Sequence, residues 1–460
     1  MATVQVSPGR PRRFVEMVLM ILAVMLGISG YVLTNLNRTG NLPPNMGLYV
    51  GVLIAFAIVA EVGVHWLAPY ADPVILPIAT ALTGLGLAMI YRLDQSYIAR
   101  DEPIVGIRQL VLTAVALVMA ALTLILIKDH RVLRRYTYTS MVISVILLIL
   151  PMIPFLGVKH LGAQIWIRIF GFQLQPAEFV KITLAIFFAG YLVTNRDKLA
   201  VGGPKILGLR LPRLKDLGPI VLVWLLGIGI LVFQRDLGTS LLFFGLFVAM
   251  LYVATNRVSW LVIGALLFIP AAYLAMKAFP HVANRFTVWL HALDPAVYDA
   301  EGGSYQVVQG LFGLANGGLF GTGWGRGYPQ LVQFAQSDFI FASLGEELGL
   351  VGLLAILLLY LILVERGLRA ALGTRDGFGK LLAAGLSFSI ALQVFVVLGG
   401  ITRVIPLTGL TAPFLAQGGS SMISSWIVVA LLLRISNAAR RPATKPAPWS
   451  HDHETKGTLS

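Results

Sequence analysis

The sequence predicts an all-α polytopic membrane protein of about twelve transmembrane helices. Three observations predict it. Of 460 residues, 57% are hydrophobic and 12% are charged, against about 25% charged in a soluble domain. Mean hydropathy is +0.82. Apolar runs near the roughly 20 residues needed to cross a hydrocarbon core recur along the chain. With no cysteine, disulfides and thiolate metal sites are excluded. The net charge of +14 is scattered among loops, which fits the Lys/Arg excess of cytoplasmic loops rather than a nucleic-acid face.

Taken in order, the expected spans lie near 14–34, 46–66, 73–91, 106–127, 137–156, 177–194, 219–234, 238–254, 258–278, 339–363, 379–398 and 420–436. The first follows PGRPRRF. It is too long for a signal-peptide core and lacks a small-residue cleavage site, so it reads as a retained anchor. With the N-terminus inside, inner segments carry 23 of the 35 Lys and Arg, and outer segments with their flanks carry 11. That bias predicts a multi-pass membrane protein with both termini cytoplasmic. The expected organisation is a cytoplasmic start (1–13), a two-helix unit (14–72), a membrane core (73–436) with a large outer loop at 279–338, and a basic, disordered tail from 437. The other informative outer segments are 157–176, 235–237 and 399–419.

Spans seven and eight are the shortest pair, and they flank QRDLGTS. A short, interrupted pair of spans often marks a binding site at membrane depth. Asp236 there either faces a polar cavity and acts, or forms an interfacial pair with Arg235. Gly238 and Thr239 or Ser240 suit a turn and a helix cap. QPAEFVKI (175–182) starts a helix with Pro176 in its first turn. Glu178 and Lys181, three apart, either neutralise each other or line a cavity beside Asp236. In SDFIFASLGEELGLVG (337–352), Asp338 lies at the outer end of a span, with Glu346 and Glu347 about two turns deeper. Adjacent residues do not share a helix face, so at most one of the two glutamates should face that cavity.

GLFGLANGGLFGTGWGRG (310–327) holds eight glycines but has neither G-K-[ST] nor G-x-G-x-x-G, so phosphate-loop readings fail. It reads as a flexible re-entrant or capping loop. AQGGSSM (416–422) is not a nucleophile elbow, but Gly418, Gly419 and Ser420 open a helix whose N–H groups suit an anion. The dispersed histidines offer no metal motif. Carboxylates, Arg168, Arg285 and Arg403 on one side suit an anionic amphiphile entering from the bilayer. A pump or secondary transporter would use them as well.

The order of motifs resembles the SEDS family (shape, elongation, division and sporulation), typified by RodA and FtsW. The resemblance rests on GAQIWIRIFGFQLQPAEFVKI (162–182), QRDLGTS (234–240), RFTVWLHALDP through GGSYQVVQG (285–310) to the Gly-rich stretch, SDFIFASLGEELGLVG, and GGITRVIPLTGLTAPFLAQGGSS (399–421). It covers roughly 73–436. It implies a peptidoglycan glycosyltransferase that polymerises lipid II at the outer face, with undecaprenyl pyrophosphate leaving. The resemblance assigns Asp236 the general-base role. The candidate substrate-binding residues are Arg168, Glu178, Lys181, Arg235, Arg285, Gln306, Asp338, Glu346, Arg403, Gly418, Gly419 and Ser420. No metal ligand is assigned, and a divalent cation, Mg²⁺ or Mn²⁺, is an open cofactor. The expected partner is a class B penicillin-binding protein. Three departures stand out: Arg235 replaces the family's proline beside the aspartate, QLVQFAQSDF lacks a glutamate common there, and Gln417 stands where tyrosine is usual. Two spans precede the family's usual ten, as in actinobacterial members. The competing readings are a lipid II flippase and a non-enzymatic scaffold for the penicillin-binding protein.

Overall fold

The computed structural model describes residues 13–101, 103–160, 163–169, 171–200, 205, 206, 209, 210, 225, 229, 234 and 236–442. The protein is an all-α polytopic membrane protein. Among the described residues, eleven helical spans are long and apolar enough to cross a membrane. The first four are α1 (Arg13–Thr39), α2 (Met46–Leu67), α3 (Ile75–Ile98) and α4 (Gly106–Leu126). A 3-10 segment, His130–Tyr136, leads into α5 (Thr137–Ile149). Next come α6 (Ala177–Ala200), α7 (Leu237–Thr255) and α8 (Ser259–Ala278). Three short helices follow, α9 (Pro280–Leu290), α10 (Pro295–Tyr298) and α11 (Tyr305–Gly317). The bundle closes with α12 (Ile340–Gly373), α13 (Gly377–Ile401) and α14 (Gly419–Arg440). The span expected at 219–234 falls almost wholly outside the described residues, as do Arg235, residues 1–12 and residues 443–460.

Burial sorts the helices. Most of the length of α3, α6, α13 and α14 is inside the bundle, whereas α2 and α8 turn most of their surface outward. Their outward residues are apolar, Ile58 and Val59 on α2 and Leu266 and Ile269 on α8 among them. An exposed apolar helix is stable in lipid because its backbone is satisfied internally. Helices α1 and α3 pack closely: a Cβ on Gly27 would lie 3.1 Å from the Gly84 Cα. Membrane helices gain contact through such small residues because lipid offers no hydrophobic drive between them. The first helix is therefore packed into the core rather than appended to it.

At one end of the bundle, charged residues tie helix ends together. Asp72 lies 3.4 Å from Arg440 and 3.9 Å from Arg366, and His130 Nε2 is 2.8 Å from Asp376 Oδ2. Arg434 donates to the carbonyls of Leu67 and Leu124. These anchors carry α14 on through Arg440, so residues 437–440 are helix rather than the start of a disordered tail.

The other end is rich in loops, and two of them differ from expectation. Three short strands, β1 (Gly157–His160), β2 (Ala163–Ile169) and β3 (Phe172–Leu174), form an antiparallel sheet. The Gly-rich stretch is not a flexible loop. Its first half is α11, and its second half is hydrogen-bonded into a break in α12. Gly349 has φ 69° and ψ −174°, a conformation open to glycine and costly for other residues. The break frees the carbonyls of Glu346 and Glu347, which accept from Thr322 and Gly323 N–H at 3.0 and 3.1 Å. It also frees the N–H groups of Leu350 and Val351, which donate to Gly318 and Leu319 carbonyls at 2.9 and 3.1 Å. Four backbone groups that would have paired within a helix are satisfied across the gap, as burial requires.

Candidate active site

The loop-rich end gathers the N-termini of α4, α6, α7 and α14. Asp236 is the N-cap of α7. The sequence pattern suggests Thr239 or Ser240 for that cap; instead Thr239 serves the aspartate. Asp236 Oδ1 accepts the Thr239 N–H at 3.0 Å, and Oδ2 accepts the Thr239 hydroxyl. A helix N-terminus favours a negative charge at this position. The Gln175 amide reaches Oδ2 at 3.4 Å, the longest and weakest of the three bonds. Only 6% of Asp236 is exposed. Burial raises its pKa, and the Thr239 bonds and the Arg285 charge pull it back down.

Gln175 connects this carboxylate to a second cluster. Its backbone N–H donates to Ser420 Oγ at 2.7 Å, tying the start of α6 to the first turn of α14. Below it, Lys181 Nζ lies 2.6 Å from Glu178 Oε2 and 2.9 Å from Gln393 Oε1. Ser424 donates to the same glutamate oxygen at 3.1 Å. Glu178 and Lys181 are both buried, and they satisfy each other with help from α13 and α14. A buried ion pair of this kind fixes helix packing, and its charge is largely spent internally.

The other expected residues separate into those near Asp236 and those set apart. Arg285 on α9 donates to the Leu407 carbonyl, and its charge acts on both Asp236 and Asp338. Burial raises Asp338 to about 6, against the pull of its local hydrogen bonds and Arg285. Arg403 is a strut: Nε and Nη2 hold the Trp289 carbonyl at 3.1 and 2.8 Å, at the C-terminus of α9. Arg168 is exposed on β2, paired in register with Gln173. Gln306 donates to the Gln333 carbonyl at 3.0 Å. Glu346 accepts from the Asn316 side chain at 3.0 Å and the Tyr328 N–H at 2.9 Å. Its hydrogen bonds therefore go to the Gly-rich segment rather than to the Asp236 cluster. Gly418 N–H is taken by the Gln109 side chain at 3.2 Å, while Gly419 and Ser420 form the first turn of α14. Arg235 lies outside the described residues. Of the four expected cations Arg168, Lys181, Arg285 and Arg403, Arg285 is the one whose charge bears on Asp236.

Sequence reasoning missed Gln175, Gln393, Gln109 and Arg92. Glutamines inside apolar spans give no charge signal. Arg92 did give one: it sits within α3, fully buried, with Nε 2.7 Å from Glu347 Oε1 and Nη2 2.7 Å from the Gly327 carbonyl. An arginine within a span demands a partner, and the second glutamate of the EE pair was available. Among the described residues no group of three or more His, Asp or Glu side chains is placed to hold a metal ion.

Residues 73–441 match the family model of the cell cycle proteins FtsW, RodA and SpoVE. The chain belongs to the FtsW/RodA/SpoVE family. It is 44% identical to the peptidoglycan glycosyltransferase RodA of Mycobacterium tuberculosis, over 97% of this chain and 95% of that one. It is 32% identical to the stage V sporulation protein E of Bacillus subtilis, over 80% of this chain and 98% of that one. In three dimensions it resembles a chain solved in a peptidoglycan synthase complex that coordinates polymerization and crosslinking. That similarity has a TM-score of 0.63 at 25% identity and covers 80% of this chain and 98% of the other. Asp236, Glu178, Lys181, Arg285, Asp338 and Ser420 all fall inside the family's match, whereas α1 and α2 precede it.

Proposed function

We propose that this peptidoglycan glycosyltransferase polymerises lipid II with Asp236 as its general base. Its family and its RodA relatives make it a glycosyltransferase of cell-wall synthesis. The observation that carries the residue assignment is the carboxylate's setting: buried, at a helix N-terminus, and oriented by Thr239 through both oxygens, with Gln175 adding only a weak 3.4 Å bond to Oδ2. A sugar hydroxyl displacing that amide would meet Oδ2 while Thr239 keeps the carboxylate oriented. The proton of the acceptor GlcNAc 4-hydroxyl passes to Asp236. The freed oxygen attacks the anomeric carbon of the donor MurNAc. The bond from that carbon to the pyrophosphate breaks, and undecaprenyl pyrophosphate departs with the electron pair. One displacement inverts the anomeric centre from α to β. Arg285, whose charge already bears on Asp236, offsets the charge that develops on the leaving group.

The Lys/Arg distribution supports an extracytoplasmic site with both termini in the cytoplasm. A class B penicillin-binding protein is the proposed partner, supported by the resemblance to a chain of a synthase complex. The test is polymerisation of supplied lipid II by purified Asp236→Asn protein, alongside a lipid II translocation assay. The enzyme reading expects glycan synthesis to vanish. Persistent synthesis with lost translocation would support a flippase instead, and growth with normal shape on the variant would support a scaffold.

A further inference from the structure

Helix α9, which carries Arg285, is a short helix with a thin hold on the bundle. Val282 and Val288 are its buried residues, while Asn284, Thr287 and Leu290 face outward. Two of its side chains bond to the loop that follows α13. Arg285 donates to the Leu407 carbonyl, and Trp289 Nε1 donates to the Arg403 carbonyl at 2.9 Å. Arg403 returns the contact. Its Nε and Nη2 donate to the Trp289 carbonyl, and Nη2 also reaches the Leu290 carbonyl at 3.3 Å. The last carbonyls of a helix have no partner within it, and an arginine there meets both their hydrogen bonds and the negative end of the helix. Arg403 therefore caps the C-terminus of α9 from another element.

The backbone at Arg403 is arranged for this. Helix α13 ends at Ile401. Beyond it, Val404 N–H donates to the Gly399 carbonyl at 2.8 Å and Arg403 N–H to the Gly400 carbonyl at 3.4 Å. In this kind of helix ending one residue turns left-handed, a place most often filled by glycine. Arg403 fills it with φ 58°, a conformation that costs energy for a residue with a Cβ. Such a conformation, kept where glycine would adopt it freely, points to a task for the side chain.

The same loop runs on to the start of α7. Leu407, which accepts from Arg285, precedes Thr408, and a Cβ on Gly238 would lie 2.8 Å from the Thr408 Cβ and 2.9 Å from its carbonyl oxygen. Gly238 is two residues past Asp236, in the first turn of α7. Residues 403–408 thus hold α9 at one end and press on the start of α7 at the other.

We infer that Arg403 is a positioning residue for glycosyl transfer: by capping α9 against the 403–408 loop, it keeps Arg285 beside Asp236. The inference rests on the proposed role of Asp236 as base. Among the described residues, the charges acting on Asp236 are Arg285 from α9, which lowers its pKa, and Glu178 from α6, which raises it. Thr408 and Leu410, which the loop packs against Gly238, do not titrate. Slippage of α9 would weaken the pull of Arg285 and leave that of Glu178.

The test measures polymerisation of supplied lipid II across pH by the purified full chain, for Arg403→Gly, Arg285→Gln and the double variant. Glycine suits the left-handed turn, so Arg403→Gly removes the cap and leaves the end of α13 intact. It should polymerise on the order of 10²-fold more slowly, with the acid limb of its pH–rate profile moved upward, as Arg285→Gln should. The double variant should be no slower than Arg285→Gln, because Arg403 acts through Arg285. Wild-type rate and acid limb in folded Arg403→Gly protein, or single effects that multiply in the double variant, would overturn the inference. Trp289→Phe, which removes only the indole bond to the Arg403 carbonyl, carries the same comparison should Arg403→Gly fail to fold: slower synthesis with a raised acid limb is expected, and an unchanged profile would overturn the inference. If Asp236→Asn protein still polymerised lipid II, the general-base reading would fail, while the rates of the single and double variants would still decide whether Arg403 works through Arg285.

Discussion

Asp236 owes its setting to a few short-range contacts, and each makes a distinct prediction. Asparagine caps helices about as well as aspartate, so Asp236→Asn should fold normally while losing the proposed base, a loss of about 10²–10⁴-fold in polymerisation. Thr239→Val removes the hydroxyl donor that lowers the Asp236 pKa. With that donor gone the carboxylate should protonate at higher pH, so the acid limb of the pH–rate profile should move upward; an unmoved limb would remove Thr239 from the site. Asp338 allows a stability prediction. Its pKa rises from 3.8 to about 6 on folding, so the folded state binds its proton more tightly than the unfolded chain does. That contribution is full below pH 3.8 and is lost as pH rises through about 6. Asp338→Asn should flatten the pH dependence of thermal stability over that window, as followed by melting at successive pH values. The sequence marked Asp236 and Asp338 because charge near lipid is conspicuous. It could not mark Gln175, whose role depends on the sheet and the start of α6 lying beside α7.

Among the elements, the broken helix α12 and the Gly-rich segment depend on each other. Gly349→Ala forces a side chain into a left-handed conformation at a site where Leu319 and Gly321 backbone already lie within contact. The expected cost is about 1–3 kcal/mol, read as a lower melting temperature. Glu347→Ala strips the partner from buried Arg92; leaving one half of a buried pair costs about 3–5 kcal/mol, so this variant should be less stable than Glu346→Ala. Stability of the two in the reverse order would contradict the roles of Glu347 as ion-pair partner and Glu346 as loop anchor. The glycines were visible in the sequence, but a local reading takes eight glycines as flexibility. Their order comes from hydrogen bonds to residues 24 to 32 positions away, and no local pattern reports those. The β-sheet at 157–174 was hidden for a similar reason, since its three short strands lie between two conspicuous spans.

For the whole molecule, hydrophobic length and charge were enough to read the fold, because a lipid-spanning chain has few ways to satisfy its backbone. The relation of the first two helices to the rest was not readable. They precede the family match, yet α1 is locked to α3 at Gly27 and Gly84, and its Thr34 accepts the Trp324 indole N–H at 2.8 Å. Asn37 adds a 2.7 Å bond to the Trp324 carbonyl. A chain shortened to residues 73–460 should therefore fail to give a stable, active protein. Purification of that piece as a monodisperse, polymerising species would contradict this.

We propose that one buried carboxylate, Asp236, removes the acceptor proton. The most direct measurement is the rate at which purified full-length protein, alone and with the proposed penicillin-binding partner, extends lipid II into glycan strands, compared between wild type and Asp236→Asn at matched melting temperature. A folded Asp236→Asn protein without glycan product is the predicted result. Strands made by it at the wild-type rate would contradict the account.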